Sequence, residues 1–153
     1  MWYVGGVPMA EYISNNPVTV ALDAAVPFND SISCPNGNVY HEDGSGIFIL
    51  RGITNNCFAR YIVTFNGNIS VPTDGTVVPI SIGITENGEV KEESIATYSP
   101  TEVDTLGNVT STTSITVPKG CCFTVAVRYV SEEADPTPAI DIYNGAVRIT
   151  RTA

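Results

Sequence analysis

The sequence has few charged residues, and cations are the scarcest of them. Charged residues make up 15% of the 153, the formal net charge is -9, and no Lys or Arg precedes Arg51. Such a charge is repelled by nucleic-acid backbones and anionic membrane surfaces, so we expect neither as a partner. Residues 1–50 cannot supply the basic region of a secretory signal. No apolar run reaches the roughly 20 residues of a membrane-spanning helix, so we expect no such segment.

Groups that carry out catalysis are also scarce. His41 is the only histidine, and we interpret it as a solvated residue in a turn. No G-x-S-x-G motif accompanies it, and no spacing among the acidic residues selects a pair of carboxylates. The sequence therefore predicts no catalytic residue, no cofactor and no enzyme activity.

An acidic loop near the C-terminus is the only weak indication of a metal ion. Glu132, Glu133 and Asp135 lie close together in sequence, and hard carboxylate oxygens suit Ca²⁺. The loop lacks the D-x-D-x-D-G pattern of a calcium site. A solvated acidic loop is the preferred interpretation, and we predict no metal site.

Cysteine usage leaves two alternatives open. The chain has four cysteines, namely Cys34, Cys57 and the adjacent Cys121 and Cys122. A zinc site would need two closely spaced pairs, which this spacing does not supply. Buried free thiols are one interpretation, and one or two disulfides are the other.

What the sequence does contain is a side-chain period of two. In residues 117–130, Phe123, Val125, Val127 and Tyr129 alternate with smaller or polar residues. This period indicates a strand with one face on a core. Pro118-Lys119-Gly120 is predicted to form the turn at which this strand begins, because proline fixes φ and glycine permits the conformations that a turn requires.

The same pattern recurs along the chain, and nothing in it predicts a helix. Turn dipeptides separate the apolar runs: Asn-Gly at Asn36, Asn66, Asn87 and Asn144, and Asp-Gly at Asp43 and Asp74. Such dipeptides between alternating runs favour hairpins. Many short strands without helices predict an all-β, two-sheet jelly-roll sandwich. The predicted strands are residues 18–22, 26–33, 38–41, 47–50, 59–65, 77–86, 89–98, 109–117, 121–130 and 140–150.

Residues 1–25 differ from the rest in composition and are predicted to form an N-terminal arm before a jelly-roll domain at residues 26–153. The arm holds the only tryptophan and several large side chains, namely Trp2, Tyr3, Met9 and Tyr12. These could fold back onto one end of the core. Alternatively they could anchor the chain to another subunit, because aromatic residues dominate interface energetics.

The order of the segments in residues 26–153 resembles the tumour-necrosis-factor-like and complement-type globular jelly roll. It is most similar to the tip domains of bacterial collagen-like surface filaments, including spore-hair proteins, and to phage structural proteins. The most specific parts are the P-x-G turn before a core strand and the N-G hairpin after an I-x-I-x-I run. The segments that carry the resemblance are V-P-F-N, G-S-G-I-F-I-L-R-G, A-R-Y-I-V-T-F, I-S-I-G-I-T-E-N-G-E, T-S-I-T-V-P-K-G-C-C-F-T-V and A-V-R-I-T.

The resemblance implies a ten-stranded jelly roll that forms a threefold homotrimer, with one sheet face of each subunit against its neighbours. Ile62, an apolar residue on the nominally outer face of its strand, fits such a contact. The residues expected in the core or trimer-forming strands are Tyr61, Phe65, Phe123 and Tyr129. The chain lacks the collagen stalk of the filament proteins and has its own arm instead.

Three functions remain as hypotheses. The leading one is a non-enzymatic structural protein on a phage virion, a homotrimer that decorates the capsid or forms a small head or tail spike and is anchored by its arm to a platform protein. The second is a trimeric tip domain on a bacterial spore or cell surface that mediates adhesion. The third is a carbohydrate-binding jelly roll. A host-surface glycan or receptor would be a further partner.

Overall fold

The computed structural model describes residues 9–14, 16–31, 38–130 and 139–152. In these residues the chain forms twelve strands and one short 3-10 helix at Glu92–Ser94. The strands are β1 Met9–Ile13, β2 Val18–Val20, β3 Asp30–Ser31, β4 Val39–His41, β5 Ile47–Arg51, β6 Phe58–Ser70, β7 Ile80–Glu86, β8 Glu89–Val90, β9 Ala96–Tyr98, β10 Gly107–Pro118, β11 Cys122–Val130 and β12 Ile140–Arg151.

The strands make two antiparallel sheets that pack face to face. Sheet A has the order β10-β6-β12-β1-β3, with β2 also paired to β12. Sheet B has the order β4-β5-β11-β7-β8, with β9 also paired to β7. The predicted all-β, two-sheet jelly roll is confirmed.

The core lies between the two sheets, and the alternating residues of each strand fill it. Along β11, Val125, Val127 and Tyr129 are buried while their neighbours are half-buried or exposed, and Phe123 packs half-buried against the core. From sheet A, Tyr61 and Phe65 of β6 reach the same core and are fully buried. The side-chain period of two in the sequence therefore identifies the residues on the inner faces of both sheets.

Two of the predicted Asn-Gly turns lie inside strands instead. Asn87 and Gly88 do form the β7–β8 turn, with φ of 52° and 90°. Asn66 lies in the middle of β6, which pairs with β10 on one side and β12 on the other. Asn144 has φ of 56° within β12, where the register with β6 shifts between Tyr143 and Ala146. Pairing on long strands therefore overrides the local turn preference, and Asn144 forms a bulge.

Part of the predicted N-terminal arm belongs to sheet A. Strand β1, which the sequence did not predict, pairs with β12 and β3, and β2 pairs with the start of β12. Tyr12 is buried in the core. Trp2 and Tyr3 lie outside the described residues, and of Met9 the structure describes only the backbone. The anchoring role of residues 1–25 and the boundary at residue 25 stay predictions.

Candidate interaction surface

The outer face of sheet A is a regular surface built by four neighbouring strands of the described part of the chain. Alternation along β6, β10, β12 and β1 sends every second side chain away from the core. We define the outer face of sheet A as the residues that these four strands present outward at their centre: Glu11, Ile13, Ile62, Thr64, Asn66, Thr110, Thr112, Ser114, Ala146, Arg148 and Thr150.

The strand register arranges these residues in rows that cross the sheet. Each row takes one residue from β10, then β6 and β12, and two of the three rows continue onto β1, because the pairings place these residues directly opposite one another. Directly opposite side chains on a sheet lie about 5 Å apart and contact each other. The rows are Ser114–Ile62–Thr150, Thr112–Thr64–Arg148–Glu11 and Thr110–Asn66–Ala146–Ile13.

The outer face of sheet A carries no net charge, although the chain carries -9. Its two ionic residues form an ion pair with each other, with Arg148 Nη2 3.4 Å from Glu11 Oε1. The other members are hydroxyl, amide or apolar side chains. A second copy of this face could approach it without repulsion, which the remainder of an acidic surface would not allow.

Hydrogen bonds between neighbouring strands hold the polar side chains of this face in place. The Thr110 hydroxyl donates to Asn66 Oδ1 at 2.9 Å, and Asn108 Nδ2 donates to the same oxygen at 2.8 Å. Thr112 donates to the Thr64 hydroxyl at 3.3 Å. Ordered side chains lose less conformational entropy on contact with a partner. Of this face the sequence singled out only Ile62, although the run of hydroxyl residues at 110–114 is visible in it.

The predicted core residues stay inside the subunit. Tyr61, Phe65 and Tyr129 are 0% exposed, so none of them reaches the outer face of sheet A. The Tyr61 hydroxyl donates to the Arg51 carbonyl at 2.6 Å. Burial raises the pKa of Tyr61, and the nearby Arg151 guanidinium opposes this shift.

His41 is not a solvated turn residue, which corrects the sequence interpretation. It ends β4, and its ring stacks on Phe48 with centroids 4.4 Å apart and planes at 18°. Its Nε2–H donates to the Ser45 carbonyl at 2.8 Å. The Tyr12 ring packs against both rings at 4.7 and 4.8 Å, so His41 belongs to an aromatic cluster. The pKa of Tyr12 is raised by burial and then by the Asp43 carboxylate.

The cysteines that the structure describes are neither buried nor bridged. Cys57, Cys121 and Cys122 are free and exposed, so neither open alternative applies to these three. The reason is positional, since all three lie where strands begin or end and not on a core-facing position within one. Cys34 lies outside the described residues.

The described residues contain neither a metal-binding cluster nor a membrane-spanning helix. No three His, Cys, Asp or Glu side chains come close enough to hold a metal ion there. The acidic residues Glu132, Glu133 and Asp135 lie outside those residues. In the same part of the chain there is no helix with the length and apolar character needed to cross a membrane.

The architecture is similar to solved jelly rolls at low sequence identity. The globular domain of zebrafish complement 1qA has a TM-score of 0.61 at 13% identity, with 95% of this chain and 96% of that chain covered. Eiger TNF from S. frugiperda has a TM-score of 0.67 at 14% identity, with 96% and 93% covered. Murine APRIL has a TM-score of 0.60 at 9% identity, with 93% and 97% covered. No protein-family model and no curated protein matches the sequence. The fold is therefore that of the tumour-necrosis-factor-like and complement-type jelly roll.

Proposed function

We propose that the chain is a non-enzymatic structural module that assembles as a homotrimer through the outer face of sheet A. The observation that carries the proposal is the electrical neutrality of this regular four-strand face on a strongly acidic chain. The jelly-roll fold supports it, because a threefold assembly through one sheet is the arrangement that the family resemblance implies. Burying the face would contribute about 25 cal/mol per Å² of apolar surface removed from water.

The trimer is proposed to decorate a phage capsid or to form a small head or tail spike on the virion, with a platform protein as its partner. The register supports an anchor at one end of the sandwich. Strand β1 starts opposite Thr150 and β12 ends at Arg151, so the chain enters and leaves the sheet at the same end. Residues 1–8 would connect that end to the platform.

Two alternatives use the same fold. A tip domain on a bacterial spore or cell surface would assemble in the same way and differ in its platform. A carbohydrate-binding module would need a row of exposed aromatic rings beside carboxylates. Among the described residues Tyr40, at 49%, is the one exposed aromatic residue, which gives this alternative less support.

The test is the native mass of matched variants in solution. Ile62 on the outer face of sheet A is 38% exposed, and Ile47 on the outer side of sheet B is 51% exposed. We expect the parent chain and Ile47→Asp to have three times the chain mass of 16.3 kDa. Ile62→Asp should be a folded monomer, because three buried carboxylates without partners are costly to desolvate.

Two outcomes would contradict the proposal. If the parent chain is a monomer at micromolar concentration, the proposed homotrimer is excluded. Loss of the trimer in Ile47→Asp but not in Ile62→Asp would move the interface to sheet B. Circular dichroism of both variants checks that the sandwich stays folded.

Attachment to the platform is tested by deletion of residues 1–8. The deletion stops before β1, because β1 pairs with β12 and its removal would damage sheet A. We expect a folded trimer that no longer binds phage particles lacking their own copies of the chain. Unchanged binding would show that residues 1–8 are not the anchor.

A further inference from the structure

Three exposed thiols lie at one end of the sandwich, away from the centre of the outer face of sheet A. Cys57, Cys121 and Cys122 are each free and exposed. Free cysteines are normally among the most buried residues of a protein. Three exposed thiols in one small domain therefore need an explanation.

Two separate segments bring the thiols to the same end. Cys57 comes directly before β6, and its carbonyl accepts the Lys119 N–H at 3.0 Å. The turn after β10 closes when the Cys121 N–H donates to the Pro118 carbonyl at 3.0 Å, and Cys122 then begins β11.

Glycines fix this geometry. Gly120 has φ of 81°, a conformation that other residues rarely adopt. A Cβ on Gly52 would lie 2.2 Å from the Pro118 carbonyl oxygen, so only glycine fits there. The Gly52 N–H donates to the Cys121 carbonyl at 2.8 Å, and the Gly52 carbonyl accepts the Gly120 N–H at 3.0 Å. The turn that carries two of the thiols is thus held against the end of β5.

The same end gathers most of the positive charge of the chain. Four of the seven Lys and Arg residues lie at this end of the sandwich, at the end of β5, the start of β6, the end of β12 and the turn between β10 and β11. Arg51 is directly opposite Cys122 on β5 and β11, and Lys119 lies with Cys57 and Phe58 in an open cleft of about 620 Å³. The four are Arg51, Arg60, Lys119 and Arg151.

Acidic residues are absent from the segments that build this end. No Asp or Glu occurs in residues 44–73, 105–131 or 142–153. By register the nearest described carboxylates on sheet B are Glu86, opposite Val125, and Glu89, which pairs with Glu86 in the β7–β8 hairpin. The Lys91 ammonium lies 4.0 Å from Glu86 and 3.5 Å from Glu93. The thiol end is therefore locally positive on a chain of net charge -9.

We propose that this end is a covalent docking site, at which Cys57, Cys121 or Cys122 forms a mixed disulfide with an acidic protein segment that carries a disulfide. The positive side chains would attract the segment, and the exposed thiols would capture it. This inference goes beyond the proposed trimer and does not depend on it.

The reaction is thiol–disulfide exchange and needs no other oxidant. A thiolate of Cys57, Cys121 or Cys122 attacks one sulfur of the partner's disulfide and forms a new S–S bond. The partner's S–S bond breaks, and its departing sulfur leaves with the electron pair and takes up a proton. The total number of disulfides is unchanged.

The test uses two synthetic peptides that differ only in charge. Each carries one cysteine activated as a 2-thiopyridyl disulfide, flanked by glutamates in one peptide and by lysines in the other. The full chain with Cys34→Ser reacts with each, and released thiopyridone is followed by absorbance. We expect the glutamate peptide to react at least about tenfold faster at low salt, and the preference to shrink as salt screens the charges.

Variants assign the reaction to this end. Replacing all three cysteines by serine should abolish release, and single replacements with mass spectrometry should show which thiol is modified. Lys119→Gln should reduce the preference for the glutamate peptide. Its control is Thr101→Glu, which changes net charge equally but lies in the loop before β10, about 35 Å away along that 12-residue strand.

Three results would overturn the inference. The lysine peptide could react faster, as the net charge of the whole chain would dictate. Lys119→Gln and Thr101→Glu could change the rates equally, so that local charge has no role. The three thiols could form disulfides within or between copies of the chain in preference to mixed disulfides with the peptide.

Discussion

The two sheets have equivalent inner faces but different outer faces. On sheet B the same chain covers part of the outer side, because a Cβ on Gly83 of β7 would lie 2.9 Å from Val90 and 3.4 Å from Ile95. On sheet A the centre of β6 and β12 has no such covering among the described residues, and Ile62 is 38% exposed. Sheet A is therefore the sheet whose centre the described part of the chain does not cover itself.

The difference also concerns charge. At the centre of the outer face of sheet A the one cation, Arg148, pairs with the one anion, Glu11, while Arg60 points outward nearer the start of β6. On the outer side of sheet B, Arg128 donates to the Gly88 carbonyl at 3.2 Å and not to a carboxylate of the described residues. A neutral face can meet its own copy, whereas a charged one repels it.

Phe65→Ala should be the most destabilising substitution, because Phe65 is fully buried beneath the outer face of sheet A. Truncation of a buried phenylalanine costs about 3–5 kcal/mol. Phe123→Ala is the matched control from sheet B, and its cost should be clearly smaller since Phe123 is only half-buried. Urea unfolding measures both. Equal costs would mean that the strand-end position of Phe123 is as well packed as the centre of the core.

Gly83→Ala should destabilise the chain by about 1 kcal/mol. Overpacking costs about 1–3 kcal/mol, and replacing a strand glycine returns roughly 0.5–1 kcal/mol. The opposing atom is Val90 Cγ1. Adding Val90→Ala to Gly83→Ala should therefore cost less than Val90→Ala does in the parent chain, as a double-mutant cycle would show. Additive effects would mean that the chain does not cover sheet B at this point.

The Glu11–Arg148 pair should have a coupling energy that depends on assembly. In a monomer the pair is solvent-exposed enough, with side chains 24% and 57% exposed, to be worth only about 0.2–1 kcal/mol. Burial in a trimer should raise the coupling above about 1.5 kcal/mol. A double-mutant cycle in the parent chain and in Ile62→Asp compares the two states. The same small coupling in both would place this pair outside the interface.

Two tyrosines of sheet A should make the fold sensitive to alkali while leaving it unaffected at neutral pH. Burial raises the pKa of Tyr12 and Tyr61 above 10 in the folded chain. A raised folded pKa contributes stability that is complete below pH 10 and is lost as the pH rises toward the folded values. Unfolding by urea at increasing pH measures this loss, and Tyr12→Phe should reduce its slope. A slope unchanged by Tyr12→Phe would exclude Tyr12 as a source.

The sequence predicted the inner faces better than the outer ones. Val125, Val127 and Tyr129 follow a period of two that only a half-buried strand satisfies, so their burial could be predicted. The outer threonines of β10 follow the same period, but a polar residue on an outer face looks the same whether it meets water or another subunit. Met9–Ile13 was missed because its short run of M-A-E-Y-I has no clear alternation and owes its conformation to pairing with β12.

The exposed thiols and His41 are features that could not be predicted from the sequence alone. Cys57 and Cys121 are far apart in sequence, and only the turn held by Gly52 puts them at one end of the sandwich. His41 looked like a turn residue, but Phe48 and Tyr12 arrive from other strands and enclose its ring. Local sequence carries no information about partners that come from distant segments.

The sequence by itself determined the all-β class, the alternating core rows and the acidic character of the chain, because these depend on the period of side chains along one strand and on composition. Only the tertiary structure decided that Glu11 neutralises Arg148 and that the outer face of sheet A is left uncharged. It also decided that four cations and three thiols share one end. Those properties depend on which strands pair and in what register, and pairing between residues more than a hundred positions apart is set by the packing of the whole sandwich.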